Sequence, residues 1–153
     1  MSCPSLNGIR EALFSVLLDA LATEEDAGTV FIAAPAQEAD PNLRRIIVMA
    51  SFSPALVHRQ ELGGYGALAL RRGIWGMTIS SQKDANANEP WAIAEKLEQA
   101  YRPYTVDGLE VVDGGEARGF VFCEFPYAQS VGVLPDQRNG ISVTVSWWTW
   151  THN

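Results

Sequence analysis

The sequence offers one pair of side chains with the types and spacing for acid–base chemistry, His58 and Glu61. An imidazole close to a carboxylate can accept a proton or hold a polar ligand. Hydrolysis through a nucleophile also needs a base held rigidly against it. The sequence has neither a Gly-x-Ser-x-Gly motif nor a Gly-rich phosphate loop ending in Lys-Ser or Lys-Thr. A ligand-binding domain or hydrolase that uses His58 is one alternative, but the sequence indicates a protein that is not an enzyme.

A second stretch has part of the spacing of a calcium-binding loop. Asp84, Asn86 and Asn88 alternate along the chain, and Glu95 stands at the twelfth position. The sixth position of an EF-hand loop needs glycine for a sharp turn, and here it is Glu89. We therefore expect a polar turn before a helix, and we predict no metal site and no cofactor.

Charge and cysteine content argue against several classes of partner. The chain has 153 residues, with 11 Lys and Arg against 18 Asp and Glu, and a formal net charge of -7. Nucleic-acid grooves and surfaces that adhere to anionic membranes both need clustered cations. Cys3 and Cys123 are too few and too far apart for a disulfide framework or a zinc site. We expect one domain over residues 1–153, in a reducing cytoplasmic setting, with no membrane segment.

The pattern of apolar residues predicts an α+β domain with two helices. Over 6–21 and 90–101, apolar residues recur every three or four positions, as on the buried face of a helix. Polar segments at 23–28, 53–66 and 127–138 are predicted as loops. β-Branched and aromatic runs predict strands at 29–33, 43–52, 67–80, 108–112, 120–125 and 141–150. We expect these strands to form an antiparallel or mixed sheet packed against the two helices.

Alternation along two of these strands assigns their side chains to two faces of the sheet. In the strand at 67–80, Trp75, Met77 and Ile79 share one face and Ile74 and Thr78 the other. In the last strand Trp147 belongs to the core face, whereas Trp148 and Trp150 point away from it, among serines and threonines. Either a second helix layer covers these two tryptophans, or they are anchors at a protein–protein interface.

Charges are unevenly placed along the chain. Arg71 and Arg72 either mark an exposed strand edge or pair with acids on a neighbouring subunit. Residues 84–116 hold eight carboxylates against Lys96 and Arg102. This acidic segment either keeps the protein soluble or forms a negative wall that repels passing nucleic acid.

The middle and end of the chain resemble the tail terminator proteins of long-tailed bacteriophages. The similarity begins with an excursion near Glu61, followed by Arg-Gly-Ile-Trp-Gly-Met-Thr-Ile-Ser at 72–80 and a polar turn. A helix with Ala-Glu-Lys-Leu at 94–97 and Tyr101 comes next, and the final strand contains Ile-Ser-Val-Thr-Val at 141–145. The resemblance covers residues 43–150 together with a matching N-terminal helix. The loop at 35–41 and the tryptophan-rich end have no counterpart in it.

This resemblance implies a small α+β structural protein of the virion. Members of the family form a hexameric ring on the last ring of tail-tube protein, stop tube growth and present a surface for head–tail joining. The implied partners are other copies of this chain, six in a ring by analogy with the family, together with the tail-tube protein and the head–tail connector protein. DNA would pass through the bore without specific binding. The implied location is the tail or neck of a virion assembled in the host cytoplasm.

A ring needs side surfaces that are complementary to one another and an outer face that recruits no further tube subunit. The residues expected at subunit or tube contacts are His58, Arg59, Glu61, Arg71, Arg72, Trp148 and Trp150. A head–tail connector or neck protein, of the head-closure or adaptor kind, is the alternative in the same setting, because a similar small domain serves there.

Overall fold

The computed structural model of the protein describes residues 3–33, 46–59, 68–83 and 88–152. The chain folds as the predicted α+β domain, with strands predominating. The helices are α1 (Leu6–Ala20), α2 (Ala22–Asp26) and α3 (Asn88–Tyr101), with a 3-10 turn at Arg102–Thr105. The strands are β1 (Val30–Ala33), β2 (Ile46–Arg59), β3 (Leu68–Ser81), β4 (Leu109–Asp113), β5 (Glu116–Cys123), β6 (Tyr127–Val133) and β7 (Asn139–His152). No helix among the described residues is long and apolar enough to cross a membrane.

Three strands of 14 residues each form the centre of the sheet. Strand β3 lies between β2 and β7 and is antiparallel to both, and β1 adds to the far edge of β2 in parallel. The second edge of β7 is divided between two partners. Its first part pairs with β6, and its later part pairs with β5, which continues the sheet to β4. The sheet is therefore mixed, within the range that the sequence predicts.

Helix α1 forms where the sequence predicts it. The Ser5 side chain caps its start by accepting a hydrogen bond from the backbone N–H of Gly8 at 3.0 Å. Ile9, Leu13 and Leu17 recur on one face and are fully buried against the sheet. The helix thus contributes one continuous apolar face to the core.

A buried hydroxyl joins both long helices to the sheet. The Tyr101 Oη in α3 donates to the backbone carbonyl of Leu13 in α1 at 2.7 Å. It also accepts from the indole Nε1 of Trp75 in β3 at 2.9 Å. Burial raises the pKa of Tyr101 well above its ordinary value, so the hydroxyl remains a donor at any physiological pH. One phenol therefore fixes the relative positions of three elements.

Alternation along the long strands separates a covered face from an open face, as predicted. The covered face includes Trp75, Met77, Val143 and Val145, which are buried in the core with α1 and α3. The residues between them are half-buried or exposed. We call these the open face, and they are Met49, Ser51, Ser53, Arg72, Ile74, Gly76, Thr78, Ser142, Thr144, Ser146, Trp148 and Trp150.

Strand β2 extends further than the sequence predicts. The prediction of a loop from residue 53 was wrong, because residues 53–59 continue the strand. Pro54 weakens the strand pattern, but the pairing with β3 continues through it and shifts register between Pro54 and Val57. A bulge is one of the places in a sheet that tolerates proline. The ladder resumes and reaches Arg59. The remainder of the predicted excursion, 60–66, lies outside the described residues.

Two other predicted loops also contain regular structure. The predicted loop at 23–28 overlaps the short helix α2 (Ala22–Asp26). Within 127–138, residues Tyr127–Val133 form β6, paired with the first part of β7. Because β6 is exposed along most of its length, its sequence carries no alternation of apolar and polar residues that would have indicated a strand.

The turn after β6 is held to the sheet by a buried guanidinium. Arg138 is 2% exposed, and its Nε donates to Ser80 Oγ at 2.6 Å while its Nη2 donates to the Ser80 carbonyl at 3.0 Å. Burial lowers the pKa of Arg138, and the nearby Asp136 carboxylate partly opposes that shift. These hydrogen bonds join the turn before β7 to the end of β3.

Candidate interaction surface

Aromatic side chains from two strands form a cluster at one end of the open face. Register pairs Phe122 of β5 with Trp148 of β7, and their rings stack with centroids 4.5 Å apart. Trp150 meets the Trp148 ring edge-on at 6.2 Å. Phe120, two residues before Phe122, shares its face by strand alternation. We call Phe120, Phe122, Trp148 and Trp150 the aromatic cluster.

This cluster is partly open to solvent and borders a shallow apolar groove. Phe120 is 47% exposed and Trp150 is 37% exposed. The groove has a volume of about 390 Å³ and is completed by Pro4, Gly119 and Thr149. Exposed aromatic rings around a groove are typical of the central anchors of protein–protein interfaces. Of the two alternatives for Trp148 and Trp150, this arrangement favours interface anchors, since β5 aromatics rather than a helix pack on Trp148.

The cation that accompanies the cluster on the open face is Arg72. Register places it directly opposite Trp148, and its neighbour on the same face of β3 is Ile74, which is 48% exposed. No ion pair joins Arg72 to a carboxylate in the described ranges 3–33, 46–59, 68–83 and 88–152. An exposed guanidinium between a tryptophan and an isoleucine can pair with an acid on another molecule.

Arg71 and Arg72 point to opposite faces, so the two cations do not act together on one surface. Arg71 lies on the covered side, where register pairs it with the buried Thr149. Its Nε is buried and has no hydrogen-bond acceptor among the described residues. Arg71 therefore does not lie on the open face, although the sequence predicts both arginines at subunit or tube contacts.

The other predicted contact residues are only partly described. His58 and Arg59 lie at the end of β2, with Leu70 and Ala69 as their register partners in β3. Glu61 lies outside the described residues, so the proposed pairing of His58 with Glu61 stays a prediction. Leu70 of β3 pairs with His58 on one side and with Trp150 on the other, so the backbone positions of His58 and Trp150 are separated by one strand.

Sequence reasoning missed three residues of this surface: Ile74, Phe120 and Phe122. Alternation already placed Ile74 on the face opposite Trp75, and its bulk on an otherwise polar face was the available signal. Phe120 and Phe122 are two positions apart, so a shared face was also readable. What the sequence did not contain was the register that brings them beside Trp148.

The carboxylates of the acidic segment, residues 84–116, are spread over several elements of the structure. Residues 84–87 lie outside the described residues, and Glu95 lies on α3. The carboxylates from Glu89 to Glu116 are exposed or half-buried on helix α3, the following turns and the β4–β5 hairpin. Among the described residues, no group of three or more His, Cys, Asp or Glu side chains is arranged to hold a metal ion.

We expect Cys123 to be inert in the folded protein. It is 2% exposed, and burial raises the pKa of its thiol to about 12. Because the thiolate is the reactive form, native protein should not expose it to Ellman's reagent at about pH 8. A Cys3→Ala variant isolates the signal: no thiol should react before unfolding in guanidinium, and one should react after it. Rapid labelling of the native Cys3→Ala variant would contradict the buried position.

Comparison with known proteins supports the fold and adds no function. No family model and no curated protein matches the chain. A solved structure, of a protein whose name carries no functional description, aligns over 95% of both chains with a TM-score of 0.58 and 17% sequence identity. At this identity the likeness establishes a shared fold alone. The interaction surface must therefore be interpreted from its own residues.

Proposed function

We propose that this protein is a tail-terminator-like ring subunit, a structural protein that caps a phage tail tube and provides a surface for head–tail joining. The proposal joins the sequence resemblance to one structural observation, the open face with its partly exposed aromatic cluster. Phe120, Trp150 and Ile74 are exposed on the same side as Arg72, which has no ion-pair partner among the described residues, and a ring subunit needs a side surface of this kind.

The distribution of carboxylates supports the same function. The β4–β5 hairpin presents Glu110, Asp113 and Glu116 to solvent, together with Arg118, which pairs with Glu116 at 3.0 Å. In a ring, a hairpin of this charge suits the wall of a bore through which DNA passes, because like charge prevents binding. The chain's formal net charge of -7 agrees with a protein that meets DNA without holding it.

The test is electron microscopy of negatively stained protein over a concentration series, with the particle mass measured in parallel. We expect closed rings, six-fold by analogy with the family, with an open bore, and we expect added protein to bind the ends of purified tail tubes and stop their extension. Tubes that continue to grow at the same rate would contradict the proposal.

Two results would support a different function. Binding to portal or adaptor rings, with none to tail tube, would identify a head–tail connector or neck protein. Turnover of a small-molecule substrate that a His58→Ala variant loses would indicate the hydrolase or ligand-binding alternative.

A further inference from the structure

Charge is segregated between the two sides of the molecule. Strands β2, β3 and β7 together contain no Asp or Glu, and their cations are Arg59, Arg71 and Arg72. The chain as a whole has 18 carboxylates, so their exclusion from these three strands leaves the open face without a negative charge. Apart from Met49, Arg72, Ile74 and the two tryptophans, the open face consists of serine, threonine and glycine.

The helices carry the opposite charge. Helices α1, α2 and α3 hold eight carboxylates and two cations, Arg10 and Lys96. Lys96 is already paired with Glu24 at 2.5 Å. Because α1 and α3 pack on the covered face of the sheet, their solvent side looks away from the open face. We call this solvent side the acidic helical surface.

An apolar anchor also lies on the acidic helical surface. Trp91 in α3 is 44% exposed, and Glu95 lies one helical turn further along the same face. Glu89 and Glu95 are both exposed, and neither has an ion-pair partner in the part of the chain that the structure describes. Trp91 with Glu95 is opposite in charge to Ile74 with Arg72, and each pair combines an exposed apolar side chain with an exposed charge.

We propose that the open face of one copy binds the acidic helical surface of the next copy, with Arg72 and Ile74 meeting the Trp91 and Glu95 side of α3. This inference rests on the proposed function and names the two surfaces that build the ring. Both surfaces are present on every copy and lie on opposite sides of the domain. The contact is therefore head-to-tail, and repetition closes into a ring when the rotation between copies divides a full turn.

Two charge-reversal variants separate the surfaces. The sheet-face variant carries Arg72→Glu and Ile74→Glu, and the helix-face variant carries Glu89→Lys and Glu95→Lys. All four positions are exposed, so both variants should fold, which circular dichroism and thermal melting would check. A control, Asp107→Lys with Glu116→Lys, makes the same net change of charge as the helix-face variant at exposed positions outside the three helices and outside strands β2, β3 and β7.

We expect each variant alone to be monomeric by size exclusion with light scattering, with self-association weakened at least roughly tenfold. Mixed in equal amounts, they should associate with each other, because each retains the surface that the other has lost and the two reversed surfaces are again opposite in charge. The control should assemble like the wild-type chain. Added salt should weaken the wild-type assembly, since part of the contact is between exposed charges.

Several results would overturn the inference. Assembly of the helix-face variant like the wild type would mean that the open face pairs with something other than α3. A sheet-face variant that keeps its ring but no longer binds tail tubes would assign the open face to the tube protein. A wild-type chain that is monomeric throughout the concentration series would also contradict it. In each case the capping of tube ends by wild-type protein tests the proposed function separately.

Discussion

Replacing Trp75 by alanine is expected to lower the free energy of unfolding by about 3–5 kcal/mol. Trp75 is fully buried where α1 and α3 meet the sheet. Its ring contacts Phe14 edge-on at 6.3 Å and Phe52 at 6.5 Å between centroids. The truncation leaves a cavity among these rings and removes the indole donor from the Tyr101 hydroxyl. Two losses therefore add at one site.

Urea unfolding followed by far-ultraviolet circular dichroism measures this change. Trp91→Ala, compared at a concentration where the chain is monomeric, is the matched control, because Trp91 is 44% exposed and its removal should then cost less than about 1 kcal/mol. Trp75→Phe separates the two contributions: it keeps most of the ring volume and loses the hydrogen bond, for an expected cost of about 1–3 kcal/mol. If Trp75→Ala were no more destabilising than Trp91→Ala, the assignment of Trp75 to the core would be wrong.

The second large effect is expected at Gly73, in the Arg-Gly-Ile-Trp stretch of β3. A Cβ at this position would lie 2.3 Å and 2.5 Å from two ring atoms of Trp147, and 2.9 Å from the backbone oxygen of Ser53. Trp147 is 1% exposed and stacks on Phe52 at 5.5 Å, so its ring has no space to move into. We expect Gly73→Ala to cost about 3 kcal/mol or more, because the core has no slack to absorb a methyl group.

Gly76→Ala, three residues later on the open face, is the control for this prediction. A Cβ there would approach Ser51 Oγ at 2.8 Å, but that hydroxyl ends an exposed side chain and can rotate away. A strand glycine replaced by alanine without a clash gains about 0.5–1 kcal/mol, so the control should be near neutral or stabilising. Thermal melting of both variants gives the comparison. Equal melting temperatures would show that the Trp147 ring yields.

Much of the fold could be predicted because it depends on local periodicity. Two-residue alternation separated Trp75 from Ile74 and assigned Trp147 to the core face, and the helical spacing of Ile9, Leu13 and Leu17 identified α1. These patterns follow from burial on one side of a regular element. They are therefore present in the sequence whenever one side of that element faces the core.

What could not be predicted depends on contacts between distant segments. Strand β6 has solvent on most of its length, so no periodicity marks it, and only pairing with β7 makes it a strand. The aromatic cluster likewise depends on the register that places Phe122 opposite Trp148. The separation of Arg71 from Arg72 by strand alternation was predictable. Their different burial depended on what packs against each face.

The position of β7 in the chain has a consequence for how the protein is made. β7 follows every other described element, yet β3, β5 and β6 all depend on it for a hydrogen-bonding partner. On the ribosome, these three strands are synthesised before β7, so the edge of each strand that pairs with β7 stays unpaired until β7 has been made. Such pairing over long sequence separations is slow, and waiting edges are prone to misassembly. The open face is therefore built only when synthesis reaches β7, so that an incomplete chain has no finished surface with which to enter an assembly.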